Sequence, residues 1–274
     1  MRVAVVGHVE WIEFGRVDHV PPPGEIVHVS EDWEEPGGGG AVAAVQLAKL
    51  AGGGSLYTAL GDDELGHRAE AELERLGLRV EAVFRPEPQR RGFVHVDSDG
   101  ERTITVIGSR LGSEGRDPLP WGELEGIDAI YFTAGDVEAV RAARAAKVLV
   151  STARGLATLR EAGVQLDALV ASARDPGERY DSGELDPPPR YVIRTAGRDG
   201  GEYETADGRR GSWRATPLPG PISDLYGCGD SFAAGLTYGL GAGLEIEQAL
   251  DLGARCGAAC ATGRGPFAGQ LREA

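Results

Sequence analysis

At 274 residues and 41% hydrophobic composition, the chain can bury a sizeable core, and its length suits one large α/β unit. Its net charge of −15 carries no basic run, which excludes a nucleic-acid partner, and no apolar stretch approaches the roughly 20 residues of a membrane helix. Three cysteines, Cys228, Cys256 and Cys260, are too few and too clustered for a disulfide framework; with no signal-peptide pattern in MRVAVVGHVEW, a cytoplasmic chain is expected.

Val3–Val6 is a short apolar run ending at Gly7 and predicts a buried first strand. After the stiff Pro21-Pro22-Pro23-Gly24 turn, Glu25–Val29 alternates and predicts a second, short strand. Residues 34–40 predict a loop closing on four glycines, and Ala41–Leu50 repeats small and apolar residues at helical spacing. Leu56–Leu60 predicts a strand closed by Gly61-Asp62-Asp63, where either aspartate can cap a helix that runs to Leu76 and stops at Gly77. Gly92–Asp97 and Arg102–Ile107 flank Ser98-Asp99-Gly100, a hairpin signal.

Strands and helices then alternate: Ala129–Phe132, Val137–Ala146, Val148–Ser151, Leu156–Ala162 and Leu169–Ala171. A polar, proline-rich loop over Asp175–Pro189 leads to a strand at Tyr191–Arg194 and a hairpin of Gly201–Thr205 with Gly211–Thr216. Helices at Asp230–Leu240 and Glu245–Ala261 are parted by Gly241–Gly243. Alternation of this kind implies a mostly parallel sheet with helices on both faces. The strand near Glu25 and the hairpin near Gly100 break it, and predict a small β lid built from 24–33 and 92–107 within a single domain over 1–274.

The run Asp224-Leu225-Tyr226-Gly227-Cys228-Gly229-Asp230 carries the chemistry. Gly227 and Gly229 permit a tight turn that leaves the N–H groups of Cys228, Gly229 and Asp230 pointing outward at a helix start, a cradle for an anion. A carboxylate beside an anion site is costly unless it works, and its natural work is to take a proton from a hydroxyl attacking phosphorus. With only Lys49 and Lys147 as lysines, backbone dipoles and a metal ion are the remaining sources of positive potential besides arginine.

Extended to Asp224-Leu225-Tyr226-Gly227-Cys228-Gly229-Asp230-Ser231-Phe232-Ala233-Ala234-Gly235, the segment resembles the second signature of the ribokinase-like, or PfkB, carbohydrate kinases. The resemblance implies a three-layer α/β/α sandwich with a mostly parallel sheet and a β lid, ATP as phosphoryl donor and Mg²⁺ as its counter-ion. It implies Asp230 as the catalytic base, with Gly227, Cys228 and Gly229 as the anion hole. Gly37-Gly38-Gly39-Gly40-Ala41 resembles the first signature, which places Gly38 and Gly39 against the substrate. Gly61-Asp62-Asp63 with Gly66 resembles a further family motif and makes Asp62 a candidate for a substrate hydroxyl. Thr195-Ala196-Gly197 resembles the segment bordering the nucleotide, and Gly263-Arg264-Gly265 the loop near adenine, so Thr195, Gly197, Gly263 and Gly265 are expected to bind ATP.

The chain also departs from that pattern. Leu225 replaces a threonine, Val42 an asparagine near the sugar, and Ile12 falls where an aspartate holds sugar hydroxyls, with Glu10 and Glu13 as substitutes. The family's Asn-x-x-Glu is reduced to Ser172-Ala173-Arg174-Asp175, leaving Asp175 as the metal candidate. Glu10 and Asp136 end buried strands, where open α/β sheets bind ligands, and join the substrate candidates. His8 reads as structural; Arg102 and Arg110 could meet phosphate, although lone arginines are usually solvated, and Glu31-Asp32-Glu34-Glu35 reads as a solvated face. The acceptor stays open among sugar, sugar phosphate, nucleoside and hydroxymethyl heterocycle. The altered contacts at Ile12 and Val42 admit a non-catalytic sugar- or nucleoside-binding regulator as the alternative. A homodimer through the lid is expected.

Overall fold

In chain order the elements are β1 (Val3–Val6), β2 (Glu10–Arg16), β3 (Glu31–Gly37), α1 (Gly39–Ala51), β4 (Gly54–Gly61), α2 (Glu64–Arg75), β5 (Leu78–Arg85), β6 (Arg91–Val96) and β7 (Arg102–Ile107). There follow β8 (Ala129–Phe132), α3 (Val137–Ala143), β9 (Val148–Thr152), α4 (Leu156–Ala162), β10 (Ala168–Ser172), β11 (Tyr191–Thr195), β12 (Gly201–Thr205) and β13 (Arg210–Trp213). The chain closes with α5 (Cys228–Gly241), α6 (Ile246–Cys260) and α7 (Gly265–Ala268). These come from a computed structural model that describes residues 1–272.

Nine strands form the main sheet in the order β13-β12-β11-β10-β9-β8-β1-β4-β5. From β5 to β11 every pairing is parallel, and β12 and β13 add an antiparallel edge. β1 lies between β4 and β8 and is buried at all four residues, as continuous apolar strands of parallel sheets are. Two apolar clusters cover the two faces. One joins α1, α2, α5 and α6 to the sheet and to lid residues such as Trp11, Ile12 and Phe14. The other packs α3 and α4 against Val6, Ile130 and Leu169. The result is three layers, α/β/α, as expected. No helix among the described residues is long and apolar enough to cross a membrane.

A small residue sets how α5 sits. At Gly235 an added Cβ would lie 2.8 Å from Cys256 Sγ and 2.9 Å from Gly253 Cα on α6. A larger side chain there would push α5 away from α6, and its N-terminus with it.

The smaller sheet has the order β3-β2-β6-β7. This corrects the expected lid. Glu25–Val29 is not a strand, and Ile26 is 85% exposed; of the segment 24–33 only the part from Glu31 is in the sheet. β2, which the sequence reading treated as a string of site residues, pairs antiparallel with β3 over Glu10–Gly37 to Arg16–Glu31 and occupies the place foreseen for Glu25–Val29. Alternation in Glu25–Val29 had no partner strand to realise it. The segment read as a loop over 34–40 therefore completes β3, and α1 starts at Gly39 rather than Ala41. The hairpin of β6 and β7 is where the Asp-Gly signal placed it. Smaller corrections are the end of α3 at Ala143 and of β13 at Trp213.

Candidate active site

α5 opens without a side-chain cap. Its N-cap, Gly227, has φ +79°, a left-handed conformation that costs glycine little and other residues more. The amides of Cys228, Gly229 and Asp230 begin the helix and have no intrahelical acceptor. A Cβ placed on Gly229 would meet nothing within 4 Å, so the cradle opens to the cleft. These amides lie where the Gly-x-Gly turn was expected to cradle an anion.

Two buried polar groups hold that turn. Asp224 is fully buried; its Oδ1 accepts from Tyr226 N at 3.1 Å and its Oδ2 from Gly265 N at 2.6 Å. The Tyr226 hydroxyl accepts from Gly38 N at 2.9 Å. The two glycine signatures and the Gly263–Gly265 loop are thus tied into one assembly. The Cys228 thiol is held protonated by its neighbour Cys260 and by burial, so only its amide serves the cradle.

Asp230 is half-buried in the first turn. Gly39 comes so close that an added Cβ would lie 2.7 Å from Asp230 Oδ1 and would displace that carboxylate. Burial pushes the Asp230 carboxyl up to about 6, with the Glu178 charge adding to the rise and Arg102 and Arg154 opposing it. A carboxyl poised near neutrality results.

Glu10 sits across the same cleft, buried, with Gly38 against its Cγ and against the His8 ring. Arg90 lies 2.8 Å from Glu10 Oε1 and His8 Nε2 lies 3.7 Å from it. Burial raises the Glu10 carboxyl, while Arg90, Arg110 and Arg154 hold it down. The same burial and the same arginines push His8 down to about 3, so it is neutral at physiological pH. Arg110 has no ion-pair partner among the described residues, and burial, Arg90 and Arg154 all act against its charge. Arg154 pairs with Asp175 and, at 2.7 Å, with Glu178. Beside this cluster lies a cavity of about 310 Å³ lined by Arg110, Ser113, Thr133, Gly135, Asp136 and Arg154. The Ser113 hydroxyl is buried there with no hydrogen-bond partner among the described residues.

The structure therefore brings together Asp230, Gly227, Cys228, Gly229, Gly38, Gly39 and Glu10. Gly265 joins them through Asp224. Asp136 lines the cavity, yet its Oδ1 is committed to Ala139 N and Gly115 N, each at 2.8 Å, as the cap of α3. Asp175 caps a short 3₁₀ turn at Gly177 N and pairs with Arg154. Thr195 ends β11 with its hydroxyl on Ala171 O, and Gly197 follows at φ +60°. Gly263 packs against Gly269. Asp62 is the exception: it is exposed beside His67 at 3.1 Å, and no contact links it to the cluster. The cap of α2 is Asp63, bonded to Gly66 N and Gln89 N, both at 2.9 Å.

Sequence reasoning missed several members. Glu178 follows Asp175 by three residues, the spacing of the sought Asn-x-x-Glu with Asp in the first place. Asp224 stood at the head of the signature without a role. Arg90 and Arg154 offered no sequence signal, since isolated arginines are mostly solvated. Ile12 and Val42 are fully buried and packed in the core, which accounts for their apolar character.

Among the described residues no group of three or more His, Cys, Asp or Glu is arranged to hold a metal. Two carboxylates on one turn, Asp175 and Glu178, match what Mg²⁺ takes from a protein when phosphates and waters supply the rest.

Comparison with known proteins identifies the family. The pattern of the pfkB family carbohydrate kinases matches residues 1–177 and 186–271. An ATP-dependent ribose-1-phosphate kinase of Halopiger xanaduensis is 29% identical over 94% of this chain and 91% of its own. Ribokinase from Thermotoga maritima superposes with a TM-score of 0.79 at 22% identity, covering 99% of this chain and 96% of that one. Arabidopsis thaliana ribokinase, complexed with ribose and ATP, superposes with a TM-score of 0.76 at 18% identity, covering 98% and 96%. The fold is ribokinase-like, and the chain belongs to the pfkB family of carbohydrate kinases, phosphotransferases whose acceptor is a hydroxyl group.

Proposed function

We propose that this chain moves the γ-phosphoryl group of ATP to a hydroxyl of a sugar that already carries a phosphate, with Asp230 as general base. The observation that carries the reading is one carboxylate, raised to about 6, in the same helical turn as three free amides. Asp230 takes the proton of the attacking hydroxyl as the new O–P bond forms and the bond to the departing ADP breaks. The amides of Cys228, Gly229 and Asp230 absorb the charge on the migrating group. Thr195, Gly197, Gly263 and Gly265 border the nucleotide in this reading. Asp175 and Glu178 would hold Mg²⁺, which when bound offsets phosphate charge.

The phosphorylated acceptor is supported by Arg90, Arg110 and Arg154. Three guanidiniums converge beside Glu10 and depress one another's partners, an arrangement that an anionic ligand relieves. Ribose, a neutral sugar, offers them hydroxyl acceptors but no charge, whereas the relative named for ribose 1-phosphate acts on an anion. Glu10 and Gly38 would contact its hydroxyls. ATP as donor supports a cytoplasmic location, and the exposed apolar residues of β7 support a lid-to-lid homodimer.

The test is an ADP-release assay with ribose 1-phosphate, ribose and a nucleoside as acceptors, on wild type and Asp230→Asn. Ribose 1-phosphate should be turned over best, and Asp230→Asn should lose about 10²- to 10⁴-fold in kcat with unchanged folding by circular dichroism. Undiminished turnover in the variant defeats the base assignment, and a preference for free ribose defeats the anionic acceptor.

A further inference from the structure

We propose that the Tyr226 hydroxyl binds the acceptor: one ring hydroxyl of the sugar sits between Tyr226 and Glu10, accepting from the phenol O–H and donating to the carboxylate. The inference rests on the sugar-acceptor reading above and assigns a specificity contact to a residue that the glycine turn itself does not require.

The placement of Tyr226 follows from that turn. It is the last residue before Gly227, and its backbone N–H donates to Asp224 Oδ1 at 3.1 Å. From there the side chain crosses to the other glycine signature. Its ring meets Phe14 of β2 edge-on, with centroids 5.2 Å apart and planes at 86°, and its hydroxyl accepts from Gly38 N at 2.9 Å. Gly38 is the residue packed on Glu10: a Cβ there would lie 3.1 Å from Glu10 Cγ and 3.2 Å from Glu10 N. Phenol oxygen and carboxylate thus flank one glycine, and the next residue, Gly39, abuts Asp230.

The hydroxyl has a proton to give. Tyr226 is 6% exposed, and its oxygen accepts one hydrogen bond and donates none among the described residues. Folded chains leave few buried donors unpaired, because the group has lost water and gained nothing. Burial and then the Glu10 charge push the phenol above its usual range, with Asp230 adding to the rise and the Gly38 N–H opposing it, so Tyr226 stays a donor.

The neighbours offer it no acceptor. The Cβ position of Gly37 lies 2.7 Å from the Tyr226 oxygen and 2.7 Å from Ile12 Cγ1, and the Cβ position of Gly227 lies 2.8 Å from Val42 Cγ1. Two apolar side chains therefore pack around Tyr226 and the glycine after it. Across the cleft, Arg90 and His8 both approach Glu10 at Oε1, at 2.8 and 3.7 Å, while Oε2 accepts no hydrogen bond among the described residues. A sugar hydroxyl completes both groups at once: its oxygen takes the phenol's hydrogen bond, and its own O–H goes to Oε2. A cleft built this way discriminates against a sugar lacking that hydroxyl, because phenol and carboxylate are then left unpaired.

Calorimetric titration of ribose 1-phosphate and of its 2-deoxy and 3-deoxy forms into wild type and Tyr226→Phe tests this. Wild type should bind one of the two deoxy sugars at least about tenfold more weakly than ribose 1-phosphate, and Tyr226→Phe should lose about tenfold in Kd for ribose 1-phosphate itself. The loss caused by removing that same hydroxyl should be about fivefold smaller in the variant than in wild type. Equal losses in the two proteins overturn the proposal, as does a variant that binds ribose 1-phosphate as wild type does, or a wild type that binds none of these sugars. Kinetics separate a contact from a mere support: the loss should fall on the acceptor KM, with kcat within a few-fold, and the acid limb of kcat/KM should stay near pH 6, since Gly39 still abuts Asp230. A loss of kcat with a displaced acid limb overturns it too, and would make Tyr226 a prop for Gly38. Titration needs no turnover, so its outcome is independent of whether Asp230→Asn is active. If wild type prefers free ribose, the anionic acceptor fails alone, and ribose with its 2-deoxy and 3-deoxy forms tests Tyr226 in the same way.

Discussion

The Asp230 carboxyl has an unusual ionisation. An exposed aspartate is ionised far below neutrality and is a poor proton acceptor. Burial and the Glu178 charge lift this one to about 6, which raises its basicity while leaving it mostly ionised at pH 7. The proposed role as general base requires the ionised form, so that reading expects activity to be lost on acidification. We predict that kcat/KM falls about tenfold per pH unit below roughly pH 6 and is flat from there to pH 8, as read from initial rates across buffers. A flat profile down to pH 4.5 would mean that the base is another group. The neighbouring residues show why only part of this was legible. Asp230 and its glycines announce themselves by spacing, because a turn of that shape requires them. Glu178, Arg90 and Arg154 act through distance, and no local pattern records which isolated charges fold into one cleft.

β3 is an element whose reading changed. Its acidic residues looked like a solvated face, and alternate positions such as Asp32 and Glu34 are exposed. The other row, Glu31, Trp33 and Glu35, grips the loop that leads into α7. Arg264 pairs with Glu31 at 3.0 Å and lies 5.3 Å over the Trp33 ring, and Glu35 packs against Gly265. Burial pushes Glu35 up to about 7, with Asp224 adding to the rise and the Trp33 N–H opposing it. A carboxyl raised in the folded state stabilises the fold below its unfolded value near 4.5, and that contribution fades as pH rises through about 7. Glu35→Gln should therefore unfold at higher urea than wild type at pH 8, by on the order of 2 kcal/mol, and show no gain at pH 4. Equal midpoints at both pH values would show that Glu35 ionises freely. Period two was present in β3 from the start; which row would be covered depended on a loop more than 200 residues away.

At the scale of the whole molecule, the lid ends in an open edge. β7 is exposed along its length, with Ile104, Val106 and Ile107 at 41, 43 and 46%. Exposed apolar edge strands invite pairing, and a second copy is the partner always at hand. We predict that the protein runs at twice its 28.8 kDa mass in light scattering, and that Ile104→Asp with Val106→Asp returns it to 28.8 kDa with the fold retained. A monomeric wild type would leave the lid edge as a simple surface.

The amino-acid sequence by itself determined the parallel sheet, the β6–β7 hairpin and the glycine turn that opens α5. Each depends on local rules: apolar runs of strand length, an Asp-Gly turn, and glycines where the backbone must turn left-handed. Only the tertiary structure decided that β2 rather than 25–29 completes the lid, that Asp63 rather than Asp62 caps α2, and that Arg90, Arg110 and Arg154, from three separate segments, all act on the Glu10 carboxyl. Strand partners and charge clusters are set by which surfaces can be buried together, a property of the folded chain that no window of sequence contains.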